Sequence, residues 1–145
     1  MPGEGRTVFY LVRHGKAEEP RGGGDDARRL TADGRDAFAA LAPSLPLRRI
    51  ATSPAVRARE TGEILAAATG APTAPEPALA PGRSGAEALL ARGREAGDGV
   101  ALVGHNPEMV EALERAGRVD RMPPGSVAAV EATAGGFRLL WIRSP

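Results

Sequence analysis

The 145-residue chain contains no cysteine. That excludes a disulfide framework, a thiolate nucleophile and a thiolate metal site. It also suits a reducing compartment, so a cytoplasmic location is expected. Neither sign of charge dominates, with 19 basic residues against 18 acidic and a net charge of +1. A nucleic-acid or membrane-surface binder needs a basic field that this balance does not supply, so no nucleic acid and no membrane is expected as a partner. No apolar run approaches the ~20 residues of a membrane span. Met1–Arg6 leads into too short an apolar stretch for a signal peptide. Lysine is nearly absent, and apart from Lys16 the 19 basic residues are arginine. GC-rich coding accounts for most of them, so a lone arginine says little about phosphate binding.

What is present suits a folded enzyme-sized domain. Hydrophobic residues make up 42% of the chain. The 19 glycines and 13 prolines stay below the ~25–30% at which disorder becomes the default. A single domain over residues 1–145 is expected.

Thr7–Val12 is a continuous apolar, β-branched and aromatic run, which predicts a strand buried on both faces. A polar, glycine-rich loop follows over 18–30, including Gly22-Gly-Gly24. Thr31 is placed to cap a helix carrying Ala37, Phe38 and Leu41, ended by Pro43 and Pro46. Arg49–Thr52 reads as a second strand. Ser53-Pro54 reads as a helix cap followed by proline, opening a helix to about Thr69 with Gly70 as its stop. A short strand is expected through Glu76–Leu79, then a capping box at Ser84-Gly-Ala-Glu87 with a helix after it. Gly99–Val103 predicts another buried strand, Asn106-Pro107 another helix start, and Ser126–Glu131 and Phe137–Arg143 a closing hairpin about Gly135-Gly136. Strands alternating with helices imply a three-layer α/β/α fold, a mostly parallel central sheet with an antiparallel C-terminal edge.

The chain's two histidines, His14 and His105, each lie just past one of these buried strands. In an open α/β sheet, ligands bind beyond the carboxyl ends of the strands, so both belong to that rim. Arg13 and His14 lead into Gly15, whose lack of a side chain allows close backbone approach. Arg57 shares an inward helix stripe with Thr61, Ile64, Leu65 and Ala68, which is unusual for an arginine unless it holds an anion. Arg59 falls on the outer face with Glu63. Two arginines, two histidines and two helix N-termini around one point suit a dianion. No cluster has metal-ligand spacing, so no metal and no cofactor is expected.

Arg13-His14-Gly15, Ser53-Pro-x-x-Arg57-Ala58-x-Glu60-Thr61 and Val103-Gly104-His105-Asn106-Pro107 resemble the histidine phosphatase superfamily, the phosphoglycerate mutase-like enzymes. The short length, Asp26-x-Arg28-x-Leu30-Thr31-x-x-Gly34 and Gly104-His-Asn-Pro107 are most similar to its SixA-type phosphohistidine phosphatase branch. The resemblance implies that His14 is a nucleophile phosphorylated in passing, with Arg13, Arg57 and His105 on the phosphoryl oxygens and His105 acting as a charge. It adds Arg28 near the phosphate, and Gly15 and Asn106 as further phosphate contacts. A neutral imidazole can attack phosphorus, and fixed cations stabilise the equatorial oxygens of a loose transition state.

One departure bears on the substrate. Many members of the superfamily carry a carboxylate after the third strand that protonates an alcohol leaving group. The matching stretch here, Pro77-Ala-Leu79-Ala-Pro-Gly82-Arg-Ser, has none. Glu18 and Glu76 are the candidate proton donors. An alkoxide needs such an acid, whereas imidazole, with a conjugate-acid pKa of ~6.5, leaves far more easily. The expected substrate is therefore phosphohistidine in a protein, such as a two-component phosphotransfer domain. The alternatives are a small phosphate ester and a non-catalytic module that binds phosphorylated ligands. The intact His14 weighs against the last.

Overall fold

The computed structural model describes residues 7–20, 23–119 and 121–145. Met1–Arg6 and Gly22 of the glycine run lie outside the described residues. Six strands form one sheet in the order β3-β2-β4-β1-β5-β6. They are β1 (Thr7–Arg13), β2 (Arg49–Thr52), β3 (Thr73–Pro75), β4 (Val100–Gly104), β5 (Val127–Thr133) and β6 (Gly136–Arg143). β3, β2, β4 and β1 are mutually parallel, and β5 runs against both β1 and β6. The helices are α1 (Ala32–Leu41), α2 (Val56–Thr69), α3 (Ala86–Ala96) and α4 (Glu108–Ala116). This is the expected mixed α/β fold with a mostly parallel sheet.

The strand period of two splits the core between the sheet's faces. On β1, Phe9 and Leu11 pack with Leu89 and Leu90 of α3 and Met109 and Leu113 of α4. Tyr10 and Val12 point the other way, toward Phe38 of α1 and Leu65 of α2. Val100 and Leu102 of β4 join the first cluster, Ala101 and Val103 the second. A strand buried on both faces must be apolar at every position, which is why β1 and β4 read as unbroken runs. No helix among the described residues is long and apolar enough to cross a membrane.

Local details differ from the sequence expectation where proline or a side-chain bond intervenes. The third strand lies at Thr73–Pro75 rather than 76–79, and Pro77–Leu79 forms a 3-10 turn. Pro75 and Pro77 each lack the N–H that a longer ladder requires. Helix α2 begins at Val56, past Pro54, with Ala55 rather than Ser53 as its N-cap residue. At α3 the N-cap is Gly85 with no side-chain cap, because the Ser84 hydroxyl donates instead to the Ala78 carbonyl at 2.7 Å. Thr31 does cap α1, accepting from the Gly34 N–H.

Candidate active site

The site follows from strand register. β1 and β4 are parallel neighbours with Arg13 opposite Gly104, and β4 and β2 pair Val103 with Thr52. The next residue on each strand is therefore His14, His105 and Ser53, three side chains in a row on the carboxyl rim. Backbone bonds continue the ladder one step, from His14 N–H to the Gly104 carbonyl and from Ser53 N–H to the Val103 carbonyl. The two imidazole rings lie 5.1 Å apart, centroid to centroid.

Arg57 enters from the first turn of α2. Gly62 allows the approach, since a Cβ there would collide with the Thr52 side chain on β2. The Thr61 hydroxyl donates to the Arg57 carbonyl at 2.8 Å and accepts the Gly15 N–H at 3.0 Å, tying the helix turn to the His14 loop. Arg57 is only 4% exposed. Its Nε donates to His14 Nε2 at 3.3 Å and its Nη2 to His105 Nδ1 at 3.3 Å.

These bonds select the tautomers. His14 Nδ1 lies 2.7 Å from the Gly15 carbonyl and must carry the proton there, which leaves a lone pair on Nε2 facing Arg57. His105 accepts at Nδ1 and donates from Nε2 to the Ser53 hydroxyl at 2.8 Å. Both rings are held neutral. Burial lowers the His14 pKa to about 4, against the upward pull of the hydrogen bond to the Gly15 carbonyl, with the Arg57, Arg13 and Arg28 charges adding to the fall. Burial lowers His105 to about 3, with His14 and Arg57 adding to the shift. His105 as a charged group is thus not what the free site shows: it is a neutral imidazole inside an Arg–His–Ser chain.

Arg13 ends β1 on the same rim. Its Nη1 donates to the Met122 carbonyl at 3.0 Å, while its Nε is buried with no protein partner. A buried guanidinium N–H without an acceptor is costly, and it leaves Arg13 with an unmet demand for one beside the rim. Arg28 reaches the mouth of the pocket, its Nε on the Glu18 carbonyl at 2.6 Å and its Nη1 on Asp25 Oδ1 at 3.1 Å. Asp25 also meets Arg57: Oδ2 accepts from Nη2 at 2.9 Å, and its carbonyl accepts from Nη1 at 2.8 Å.

Three of the other expected residues have polar groups engaged within the protein, and Glu18 is held through its backbone. The Gly15 N–H goes to Thr61 and its carbonyl to His14, so Gly15 orients the histidine. The Asn106 amide donates to the Met122 carbonyl and accepts from the Val110 N–H, bracing a loop and the start of α4. Glu76 binds the Ala78 N–H at 3.0 Å and Arg92 at 3.2 Å, which engages both oxygens of its carboxylate. Glu18 enters through its backbone, its carbonyl on Arg28 and its N–H on the Arg29 carbonyl. Sequence reasoning missed Asp25, adjacent to the Asp26 of the motif, and read Ser53 as a helix cap rather than the partner of His105. Glu60 was likewise unassigned. It is buried, and binds the Leu30 N–H, Arg29 and Arg35, tethering the 28–31 segment to α2.

Comparison with known proteins supplies the family. The model of the histidine phosphatase superfamily (branch 1) matches residues 9–85, which include Arg13, His14, Asp25, Arg28 and Arg57. No curated protein matches the chain by sequence. Among solved structures, one described as a phosphohistidine phosphatase SixA from Agrobacterium tumefaciens is 25% identical, with a TM-score of 0.79 over 96% of this chain and 98% of that one. A protein histidine phosphatase SixA complexed with tungstate is 24% identical, with a TM-score of 0.80 over 95% and 97%. A mycobacterial glucosyl-3-phosphoglycerate phosphatase is 17% identical, with a TM-score of 0.69 over 96% and 100%. The chain belongs to the histidine phosphatase superfamily (branch 1), with the phosphoglycerate mutase-like fold of its SixA-type members.

Proposed function

We propose that the chain is a metal-independent phosphatase that removes the phosphoryl group from phosphohistidine in a protein, through a phosphorylated His14. In the first step the Nε2 lone pair, given up by the Arg57 Nε–H as that donor turns to the phosphoryl oxygens, attacks phosphorus and the substrate's P–N bond breaks. Phosphohistidine protonated on its other ring nitrogen leaves as neutral imidazole. His14 becomes a phosphoimidazolium, and the Gly15 carbonyl at 2.7 Å stabilises the charge gathering at Nδ1–H. In the second step water attacks, the Nε2–P bond breaks, and His14 leaves as the neutral imidazole it was. The proton lost by the water passes to solvent or phosphate. Donor and acceptor are the same chemical group, so neither step asks for a dedicated acid. Arg57, Arg13 and Arg28 supply fixed positive charge to the phosphoryl oxygens, and His105 lies on the same side.

The observation that carries this reading is the state of the carboxylate at the pocket. The one that reaches the arginines, Asp25, has its pKa lowered by the hydrogen bond from Arg28 and by Arg57. A carboxyl held ionised is a poor proton donor at neutral pH, and Glu76 is paired with Arg92. A SixA relative of the same fold is complexed with tungstate, an oxyanion, which supports an anion-binding role for this fold.

The test is initial-rate hydrolysis of a phosphohistidine protein and of an alkyl phosphate ester, with EDTA present, for wild type and His14→Ala. Fast release from phosphohistidine alone, lost in the variant, is the expected result. Comparable turnover of the ester would overturn the substrate assignment, and activity surviving in His14→Ala would overturn the covalent route.

A further inference from the structure

Asp25 has no place in the mechanism above, yet its carboxylate sits on the arginines that the mechanism needs. Oδ1 accepts from Arg28 and Oδ2 from Arg57, one oxygen to each guanidinium. A guanidinium fork accommodates carboxylate and phosphate oxygens alike. We propose that Asp25 is an internal stand-in for the phosphoryl group, occupying the anion position until a phosphorylated substrate displaces it; this rests on the pocket being a phosphoryl site.

The two partners of the ion pair are held very differently. The Arg57 side chain is 5% exposed and fixed by both histidines, whereas the Asp25 side chain is 54% exposed. Asp25 opens a single 3-10 turn, Asp25–Ala27, that buries no residue. Gly23 and Gly24 precede it with φ of 109° and 85°, a backbone region where glycine is at ease and side chains are not. A segment with so few buried contacts moves at little cost. Arg57 therefore stays and the carboxylate yields. The Arg57 bond to the Asp25 carbonyl does not involve the carboxylate, so the turn keeps an anchor when the side chain is neutralised.

A stand-in of this kind sets a threshold. A single carboxylate on an unphosphorylated protein gains nothing by exchanging with Asp25. A phosphoryl dianion brings a second charge and a third oxygen to the same two guanidinium groups. The same carboxylate, returning, helps inorganic phosphate leave. Asp25 thus selects for phosphorylated over merely acidic partners.

Calorimetric titration of inorganic phosphate into wild type, Asp25→Asn and Asp26→Asn at pH 7.5 and low salt tests this. Asp26 is exposed and serves as the charge-matched control. Removal of a competitor predicts a three- to tenfold lower phosphate Kd in Asp25→Asn and none of that gain in Asp26→Asn. Equal or weaker binding in Asp25→Asn would overturn the proposal, because a carboxylate that merely positions Arg57 weakens binding when lost. Equal gains in both variants would also overturn it, pointing to net charge alone. Phosphohistidine turnover in the same preparations reads the functional proposal separately. An inactive wild type refutes that proposal while the phosphate ratio still decides the role of Asp25.

Discussion

One side of the pocket stands on strand ends and the other on a surface turn. His14, His105 and Ser53 continue three parallel strands by one residue, and Arg57 is clamped between the rings. Their positions are consequences of sheet register and core packing, so they move only if the sheet does. Asp25 and Arg28 belong to a segment that buries little and is held by Glu60 and by the arginines themselves. The contrast separates two demands on a phosphatase. Charge must wait, preorganised, where the transition state develops it. Access and selectivity need a part that can yield.

The largest effect expected from breaking the fixed side is Arg57→Ala. It removes the cation shared by both histidines and frees Asp25 at once. Loss of one preorganised stabiliser of developing charge costs about 10²–10³ in kcat, and Arg57→Lys recovers only part of it because a point charge cannot bond His14, His105 and an oxyanion together. Single-turnover phosphorylation of His14 measures this directly. A loss under tenfold would mean that Arg57 is a packing residue.

The next effect is on stability. His14 and His105 are neutral in the folded chain down to about 4 and about 3. An unfolded histidine titrates near ~6.5. Between that value and the folded ones the unfolded chain binds protons that the folded chain does not, so stability falls as pH falls from ~6.5 and levels off only below both folded pKa values. At pH 4.5 the deficit is up to about 2–3 kcal/mol for each ring. Urea unfolding of wild type and His105→Gln at pH 7.5 and 4.5 checks it. The variant should lose visibly less stability between the two pH values, and parallel losses would place the acid sensitivity in other groups.

The same contrast explains what could be read from the sequence. The rim histidines follow from two unbroken apolar runs, because strands buried on both faces announce themselves and end at one level. Arg57 follows from the helix period it shares with Thr61. The turn has no comparable periodicity. Asp25 and Asp26 are adjacent and chemically alike, and the backbone after Gly23 and Gly24 decides which of them faces the arginines. In the free site the Gly15 N–H lies on Thr61 and one N–H of the Asn106 amide on the Met122 carbonyl, bonds that no sequence period announces. Proline moved β3 and the start of α2, since its missing N–H favours a turn over a ladder and its neighbours delay the first helical residue.

The smallest effect sharpens the comparison from the exposed side. Arg28 contacts Asp25 and the Glu18 carbonyl, with its side chain 23% exposed. Partly exposed pairs of this kind contribute about 0.2–1 kcal/mol, so Arg28→Ala should change kcat/KM by a few-fold, against about 10²–10³ for Arg57→Ala. The direction is set by two opposed consequences. The variant loses a cation for the phosphoryl group, which weakens substrate binding, and it also loses one of the two cations holding Asp25, which eases displacement. In an Asp25→Asn background only the first remains, so Arg28→Ala should be more damaging there than in wild type. A double-mutant cycle on phosphate affinity measures the difference. Additive effects would mean that Arg28 and Asp25 act on the phosphoryl group independently, and that the turn is as fixed as the strand ends it faces.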